Sequence, residues 1–494
     1  MGEQTIIDGI PAKHWIGGEW VSAEKSFPVL NPIDDSVISH AAWGNSADID
    51  KAVRTAHEAF QSFRNTPPSK LEAMLIKAAD LIAEREAQFL DVLIDEVGSP
   101  FMKAKFEVKY AVEYFRAAAG VPRRINGKVM PTDMPNRMSW AVREPLGVVA
   151  SITPFNVPLI KGAKLMGSPL STGNVVVHLP SEETPTVALL LAQVLHDAGF
   201  PAGTVNVVTG YGHEIGDALN GHELVRAVMF TGSSRVGRHI SELCGKHMKP
   251  ALLELGGKSP LVILEDADLD KALMATAMGN FFFQGQGCMV SSRAYVQESV
   301  LDDFVARLKG IAETYAPGDL RNPKTNMNPI ITPRQRERIQ HHVDDAVEKG
   351  ATLVTGGKFE GHCFRPTILL GVEEGMTVCR EETFGPVISI YPIKDLEDGI
   401  AKANDTRYGL SAAIFTNDIN KALAYVKSVK AGMVHINAPT FADEPHVPFG
   451  GMGESGRGRE GTEDDLEMLT EWKWITVQLP ADAAMGPVTM GPVA

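Results

Sequence analysis

The run Gln284-Gly285-Gln286-Gly287-Cys288 places a thiol behind two glycines. Glycines at 285 and 287 allow close approach of the backbone to a bound molecule. A cysteine at what reads as a loop-to-helix junction would have a lowered pKa and a larger thiolate fraction near neutral pH. Cys288 is therefore the candidate nucleophile, and Cys244, Cys363 and Cys379 read as structural thiols. Glu254, in Glu254-Leu255-Gly256-Gly257-Lys258, could face a cleft as a general base. Taken alone it reads more readily as a surface glutamate before a turn. Asn156, in Thr153-Pro154-Phe155-Asn156-Val157-Pro158, lies in a stiff extended loop, and its amide could donate to an oxyanion. Alone, it is an ordinary turn asparagine. The segment Phe230-Thr231-Gly232-Ser233-Ser234-Arg235-Val236-Gly237 runs from a buried strand through small residues into a helix, which suits a phosphate. Its glycines are spaced five apart, unlike G-x-G-x-x-G, and a plain strand-to-helix turn fits equally well.

The elements that must carry these residues can be read from periodicity. Short strands and turns occupy 15–45. Ile49, Val53, Ala56 and Phe60 share one helical face. A second helix is expected to open after Pro67-Pro68 with a Ser69/Glu72 capping box and to stop at Gly98. Residues 126–144 read as a strand-rich excursion. From 147 strands alternate with helices. The strands are Val148–Ile152, Val175–His178, Val205–Val208, Ala227–Phe230 and Leu261–Leu264, and the clearest helices are Thr186–Ala198 and Arg235–Leu243. Such alternation predicts an α/β fold with parallel sheets and helices on both faces. A second α/β stretch follows over 257–450.

A chain of 494 residues exceeds one core, so two or three domains are expected. Its 44% hydrophobic and 22% charged composition is that of a globular protein. A net charge of −14 argues against nucleic acid as a partner. Four dispersed cysteines suggest neither a metal site nor a disulfide framework, and a reducing, cytoplasmic setting is expected. Met1–Ile10 carries no secretory pattern, and the densest apolar run, Val187–Leu195, is too short to span a membrane.

Together the four motifs resemble the aldehyde dehydrogenase superfamily, from Gly17-Gly18-Glu19-Trp20 to the strand near Trp474. Glu254 precedes Cys288 by 34 residues and Asn156 by 132, as in the family pattern. Further matches are Gly199-Phe200-Pro201-Ala202-Gly203, Glu381-Glu382-Thr383-Phe384-Gly385-Pro386 and Pro448-Phe449-Gly450-Gly451. The resemblance implies a Rossmann-type cofactor domain, an α/β catalytic domain and a strand arm for oligomerisation. It implies that Cys288 attacks the aldehyde, that Asn156 and the Cys288 N–H hold the oxyanion, and that Glu254 activates the hydrolytic water. Gly232, Ser233 and Gly237 would meet a pyrophosphate, and Glu382 and Phe384 the nicotinamide riboside. Glu182 would meet the adenosine ribose and disfavour NADP relative to NAD. Thr153, Pro154, Phe155 and Leu255 would complete the cofactor contacts. The family's lysine before Pro180-Ser181-Glu182 is replaced by Leu179, which removes one expected ribose hydrogen bond.

Asp443-Glu444-Pro445-His446-Val447-Pro448-Phe449-Gly450 and Trp474-Ile475-Thr476-Val477-Gln478 resemble the branch acting on benzaldehydes. Val157, Lys161, Lys164 and Met289 are the expected substrate-tunnel residues. Two lysines on one helical face near the tunnel mouth would suit a phenol, a phenolate or a carboxylate; pointing to solvent is the other reading. Aliphatic or semialdehyde oxidation is the alternative within the family. The Glu254 match argues against transfer of the acyl group to CoA, the intact site residues argue against a silent scaffold protein, and a dehydrogenase without covalent catalysis would leave Cys288 unexplained. The expected domains are 1–125 with 145–256 for the cofactor and 257–455 for catalysis. An arm of 126–144 and 471–480 would pair across subunits of a homodimer or homotetramer, and 481–494 would be a mobile tail.

Overall fold

The computed structural model describes residues 9–461 and 463–480, so the tail at 481–494 lies outside the described residues. Strands β1 (His14–Ile16) and β2 (Glu19–Val21) turn about Gly17 and Gly18, and β3 (Lys25–Leu30) pairs with β4 (Val37–Trp43). Four helices follow: α1 (Ser46–Phe63), α2 (Pro68–Glu84), α3 (Glu86–Asp95) and α4 (Phe101–Ala118). Helix α1 buries Ile49, Val53, Ala56 and Phe60, and Asn45 with Asp48 forms its capping box. The box expected at Ser69 and Glu72 does not form. Helix α2 starts at Pro68 with Pro67 at its cap, because proline's fixed φ and missing N–H suit a first helical turn. The single helix expected up to Gly98 is broken at Arg85, whose backbone (φ −99°, ψ 19°) leaves helical geometry. No glycine or proline marks that break.

After β5 (Lys128–Val129) and β6 (Arg137–Pro145) the strand–helix alternation begins. It comprises β7 (Val148–Ile152), α5 (Pro158–Ser171), β8 (Val175–Leu179), α6 (Pro185–Asp197), β9 (Val205–Val207), α7 (Gly212–Gly221), β10 (Val225–Thr231), α8 (Ser234–Lys246) and β11 (Ala251–Glu254). The next stretch holds β12 (Pro260–Ile263), α9 (Leu269–Phe281), β13 (Arg293–Gln297), β14 (Thr352–Thr355), the ribbon β15 (Phe359–Glu360) and β16 (Cys363–Phe364), β17 (Thr367–Leu370), β18 (Val387–Ile393), β19 (Ser411–Phe415) and β20 (Met433–Ile436). The chain closes with β21 (Gly456–Arg457) and β22 (Thr470–Gln478).

One sheet has the order β2-β1-β9-β8-β7-β10-β11-β21, with β9 to β11 parallel. The other has the order β14-β17-β18-β13-β12-β19-β20 and is parallel except for β14. Strands buried on both faces need continuous apolar runs, which Val148–Ala150 and Val175–Val177 supply. Two features matter for function. Strand β21 returns from the C-terminal region to pair antiparallel with β11, setting Gly456 opposite Glu254. Helix α5 is buried at every position, including Lys161 and Lys164. The third sheet, β22-β6-β5, pairs β22 with β6 inside the same chain over nine residues of each strand.

Candidate active site

The sequence motifs converge through glycines. A Cβ at Gly256 would stand 2.5 Å from Glu382 Oε2, and one at Gly257 would overlap the carbonyl oxygen of Cys288. A Cβ at Gly285 would likewise overlap the carbonyl of Gly385. These glycines are required because other backbone and site groups occupy the space a side chain would fill. Glu382 Oε1 accepts from Gly257 N at 2.9 Å. Asn156 Nδ2 donates to the carbonyl of Gln286 at 3.0 Å, which holds the loop after β7 against the turn containing Cys288. Glu254, at the end of β11, is buried beside Gly450, where a Cβ would stand 2.6 Å from its Oε1.

Cys288 does not sit at the start of a helix. Helix α9 ends at Phe281. Phe283, Gln284 and Gly285 then take left-handed φ values of 50°, 53° and 64°, and Cys288 lies in the turn beyond, ahead of β13. The left-handed conformation costs a non-glycine residue roughly 1–2 kcal/mol. Gln284 is held there by accepting Phe364 N at 2.9 Å through Oε1. No helix begins at Cys288, so the helix-end lowering of its pKa expected from the sequence has no basis here. Burial pushes the thiol up to about 12; Lys161 opposes this, while Glu382, Glu254 and Glu460 reinforce it.

Both Glu254 carboxylate oxygens are buried with no hydrogen-bond donor among the described residues. Burial raises the Glu254 pKa well above the usual carboxylate range, and the Glu460 charge adds to it, against the pull of Lys161 and Lys164.

Lys161 and Lys164 do share one face of α5, but they are neither free cations at a tunnel mouth nor directed to solvent. Lys161 Nζ donates to Glu460 Oε2 at 2.7 Å and Lys164 Nζ to Asp443 Oδ2 at 2.7 Å. Lys164 also lies 3.5 Å from Glu460. Both ammonium groups sit over the Phe449 ring, 4.6 and 4.5 Å from its centroid. A buried ammonium needs a nearby anion to stay charged, and the closing segment of the chain provides two. Burial would raise Glu460, but the two lysines hold it below its ordinary range. Periodicity does not reveal Glu460 or Asp443 as partners of the lysines, because nothing local shows which loop will meet α5. Met289 packs with Leu410 and Phe449, and Cys288, Met433 and Phe441 border the same cluster. Val157 is half-buried against the large core of the first sheet.

The expected cofactor residues follow the ends of β7, β8, β10 and β11, except Glu382 and Phe384, which lie just ahead of β18. Ser233 caps α8, its Oγ accepting from Val236 N at 3.4 Å. A Cβ at Gly237 would overlap the Leu255 side chain, and one at Gly232 the Phe230 ring. Phe384 faces Phe155 edge-on at 5.7 Å. Thr153 Oγ1 lies 3.1 Å from His178 Nε2, and burial lowers His178 to about 3, so that imidazole stays neutral. Pro154 and Glu182 are half-buried beside these strand ends, and Leu179 is a buried core residue at the end of β8. Among the described residues, no cluster of His, Cys, Asp or Glu could hold a metal ion and no helix is long and apolar enough to cross a membrane.

The aldehyde dehydrogenase family profile matches residues 20–475. The chain is 40% identical over 468 residues to a vanillin dehydrogenase of Pseudomonas fluorescens, covering 94% of this chain and 97% of that one. A salicylaldehyde dehydrogenase of Pseudomonas putida G7, solved with salicylaldehyde, superposes with a TM-score of 0.92 at 36% identity, covering 96% of this chain and 99% of that one. A betaine aldehyde dehydrogenase of Staphylococcus aureus, solved with NAD+, gives 0.93 at 31% identity and 96% coverage of both. The chain therefore belongs to the aldehyde dehydrogenase family of aldehyde-oxidising enzymes and stands close to its aromatic-aldehyde members.

Proposed function

We propose that the protein oxidises an aromatic aldehyde, a hydroxybenzaldehyde in particular, to its carboxylic acid with NAD, through a thioester on Cys288. The observation that carries this reading is the joining of three motifs: Asn156 bonds to Gln286 O, and Cys288 O packs on Gly257 three residues after Glu254. Cys288 gives up its thiol proton to solvent, and the thiolate Sγ adds to the carbonyl carbon. The oxyanion so formed is held by the remaining Asn156 N–H and the Cys288 backbone N–H, and losing one such donor costs about 3–4 kcal/mol. NAD, when bound, is the hydride acceptor. Glu254, whose lone pairs no donor among the described residues occupies, takes a proton from the water that cleaves the thioester.

The chain's own residues fit a dinucleotide. Small residues lead from β10 into the N-terminus of α8, a suitable seat for pyrophosphate through Gly232, Ser233 and Gly237. Glu382 beside Gly256 and Gly257, and Phe384 with Phe155, Thr153, Pro154 and Leu255, would border the nicotinamide riboside. Glu182 would repel a 2′-phosphate and favour NAD over NADP. Leu179, buried in the core, offers the ribose no hydrogen bond. Aromatic substrate is supported by Phe441, Phe449, Met289 and Met433 around Cys288 and by the vanillin and salicylaldehyde dehydrogenase relatives. We further assign cofactor binding to 1–125 with 145–256 and catalysis to 257–455. The β22-β6-β5 sheet would join subunits of a homodimer or homotetramer in the cytoplasm.

The test is reduced-nicotinamide formation by purified protein with NAD or NADP and a panel of hydroxybenzaldehydes, hexanal and betaine aldehyde. Preference for the benzaldehydes with NAD is expected. Preference for hexanal or betaine aldehyde refutes the aromatic reading, and turnover with NADP alone refutes the cofactor assignment.

A further inference from the structure

Lys103 and Glu107 lie four residues apart on α4, a spacing that usually marks a solvent-facing pair. Here both are buried, at 2% and 0% exposure. An ammonium has three N–H donors, and Lys103 Nζ meets three acceptors: Ser99 Oγ at 3.0 Å, the carbonyl of Asn156 at 2.6 Å, and Glu107 Oε1. The same ammonium stands 3.9 Å from the centroid of the Phe283 ring. Glu107 Oε2 accepts from Leu159 N at 3.2 Å and Ile160 N at 3.5 Å. These amides belong to the first turn of α5, a helix with no side-chain cap of its own. A carboxylate there satisfies orphan amides and faces the positive end of the helix.

The ion pair thus reaches both halves of the site. Lys103 fixes the carbonyl of Asn156, and Glu107 fixes the helix that starts two residues later. On the other side, Phe283 opens the left-handed turn that leads through Gln286 to Cys288. Asn156 Nδ2 joins the two halves at Gln286 O. A hydrophobic pair could fill the same volume, but it could not donate to Asn156 or cap α5.

We propose that Lys103 and Glu107 are positioning residues for the oxyanion site, holding Asn156 in register with Cys288; this rests on the reading of Asn156 as the oxyanion donor. The pair is buried behind Asn156 and acts by fixing the angle at which the Asn156 amide meets the developing charge.

The test combines Lys103→Met, Lys103→Arg and Asn156→Ala in the full-length enzyme. Where Lys103→Met strands Glu107 and does not fold, Lys103→Met/Glu107→Gln takes its place, since the glutamine oxygen still accepts from α5. Misplacement of a catalytic group by about 1 Å costs on the order of a hundredfold. The expected result is a fall of about tenfold to a hundredfold in kcat, with the KM values for aldehyde and NAD and the alkylation rate of Cys288 by iodoacetamide little changed. Lys103→Arg should recover part of the loss. Combined with Asn156→Ala, the lysine substitution should add no further loss, because both act through one amide. Unchanged kcat per folded molecule with only a lower Tm, or losses that multiply in the combined variant, overturns the proposal. An Asn156→Ala enzyme of normal kcat overturns the oxyanion assignment and the proposal with it, whereas an impaired Asn156→Ala beside a normal lysine variant overturns the proposal alone.

Discussion

Lys161 Nζ lies 2.7 Å from Glu460 Oε2, joining the helix that follows Asn156 to the segment bridged to Phe449. The two partners act on the nucleophile in opposite senses. Burial pushes the Cys288 thiol up most strongly, Lys161 pulls it down, and Glu382, Glu254 and Glu460 add to the upward push. Cys288 is a half-buried thiol whose pKa, like that of the neighbouring Glu254 carboxyl, is raised, so higher pH ionises both.

Replacing Lys161 by Met should therefore move the pH profile of Cys288 alkylation to higher pH and slow the reaction at any given pH. Glu460 loses its nearest partner and keeps Lys164 at 3.5 Å. The stability cost should fall toward the lower end of the roughly 3–5 kcal/mol typical of a broken buried pair. Lys161→Met/Glu460→Gln should regain stability, since replacing both charges removes the stranded one. Iodoacetamide rates against pH decide the matter: a profile that does not move refutes the role given to Lys161.

Glu254→Gln should separate the two halves of the reaction. Without the base, thioester hydrolysis slows, and kcat should fall by about 10²- to 10⁴-fold. Addition to the aldehyde does not need that base for water, so a first turnover of reduced nicotinamide should remain as a burst of one equivalent per site. Rapid mixing checks this. Loss of the burst together with steady turnover would place Glu254 in the first half-reaction.

Gly256→Ala and Gly257→Ala should differ in kind. At Gly256 the added methyl meets the carboxylate end of Glu382, a side chain that can swing aside. At Gly257 it meets the backbone carbonyl of Cys288, which can move only with the nucleophile. Gly256→Ala should chiefly raise the KM for NAD. Gly257→Ala should lower kcat, by about a hundredfold if the turn shifts by 1 Å. Equal effects on both constants in both variants would contradict this geometry.

Periodicity located the parallel strands well because buried strands need unbroken apolar runs; Val148–Ile152 has the bounds read from sequence. The motif residues stand out in the sequence because chemistry restricts their types, and the fold brings Asn156, Gly257 and the Cys288 turn together. Three features were not. Arg85 breaks a helix with no glycine or proline to announce it. Phe283 and Gln284 adopt φ values favoured by glycine, held by contacts with Lys103 and Phe364 that are distant in sequence. Lys161 and Lys164 look like ordinary cations until the fold brings Glu460 and Asp443 to them. Each depends on tertiary partners, and a single chain read locally does not show them.

Glu96 offers a test on stability away from the chemistry. It is fully buried and accepts from Thr186 N at 3.2 Å and Thr186 Oγ1 at 2.6 Å, at the start of α6. Burial raises its pKa to about 8, against the hydrogen bonds from Thr186 and Val187. A carboxyl raised in the folded state binds more protons there than in the unfolded chain. Its contribution is fully present below the unfolded value of about 4.3 and is lost as pH rises toward 8. The slope within that window approaches about 1.4 kcal/mol per pH unit for one group. Glu96→Gln removes the titration and leaves an oxygen to accept from Thr186. The native enzyme's apparent Tm should therefore fall relative to Glu96→Gln between pH 5 and pH 8. A Tm difference that stays constant over that range would show Glu96 to be ionised throughout, with its hydrogen bonds outweighing its burial.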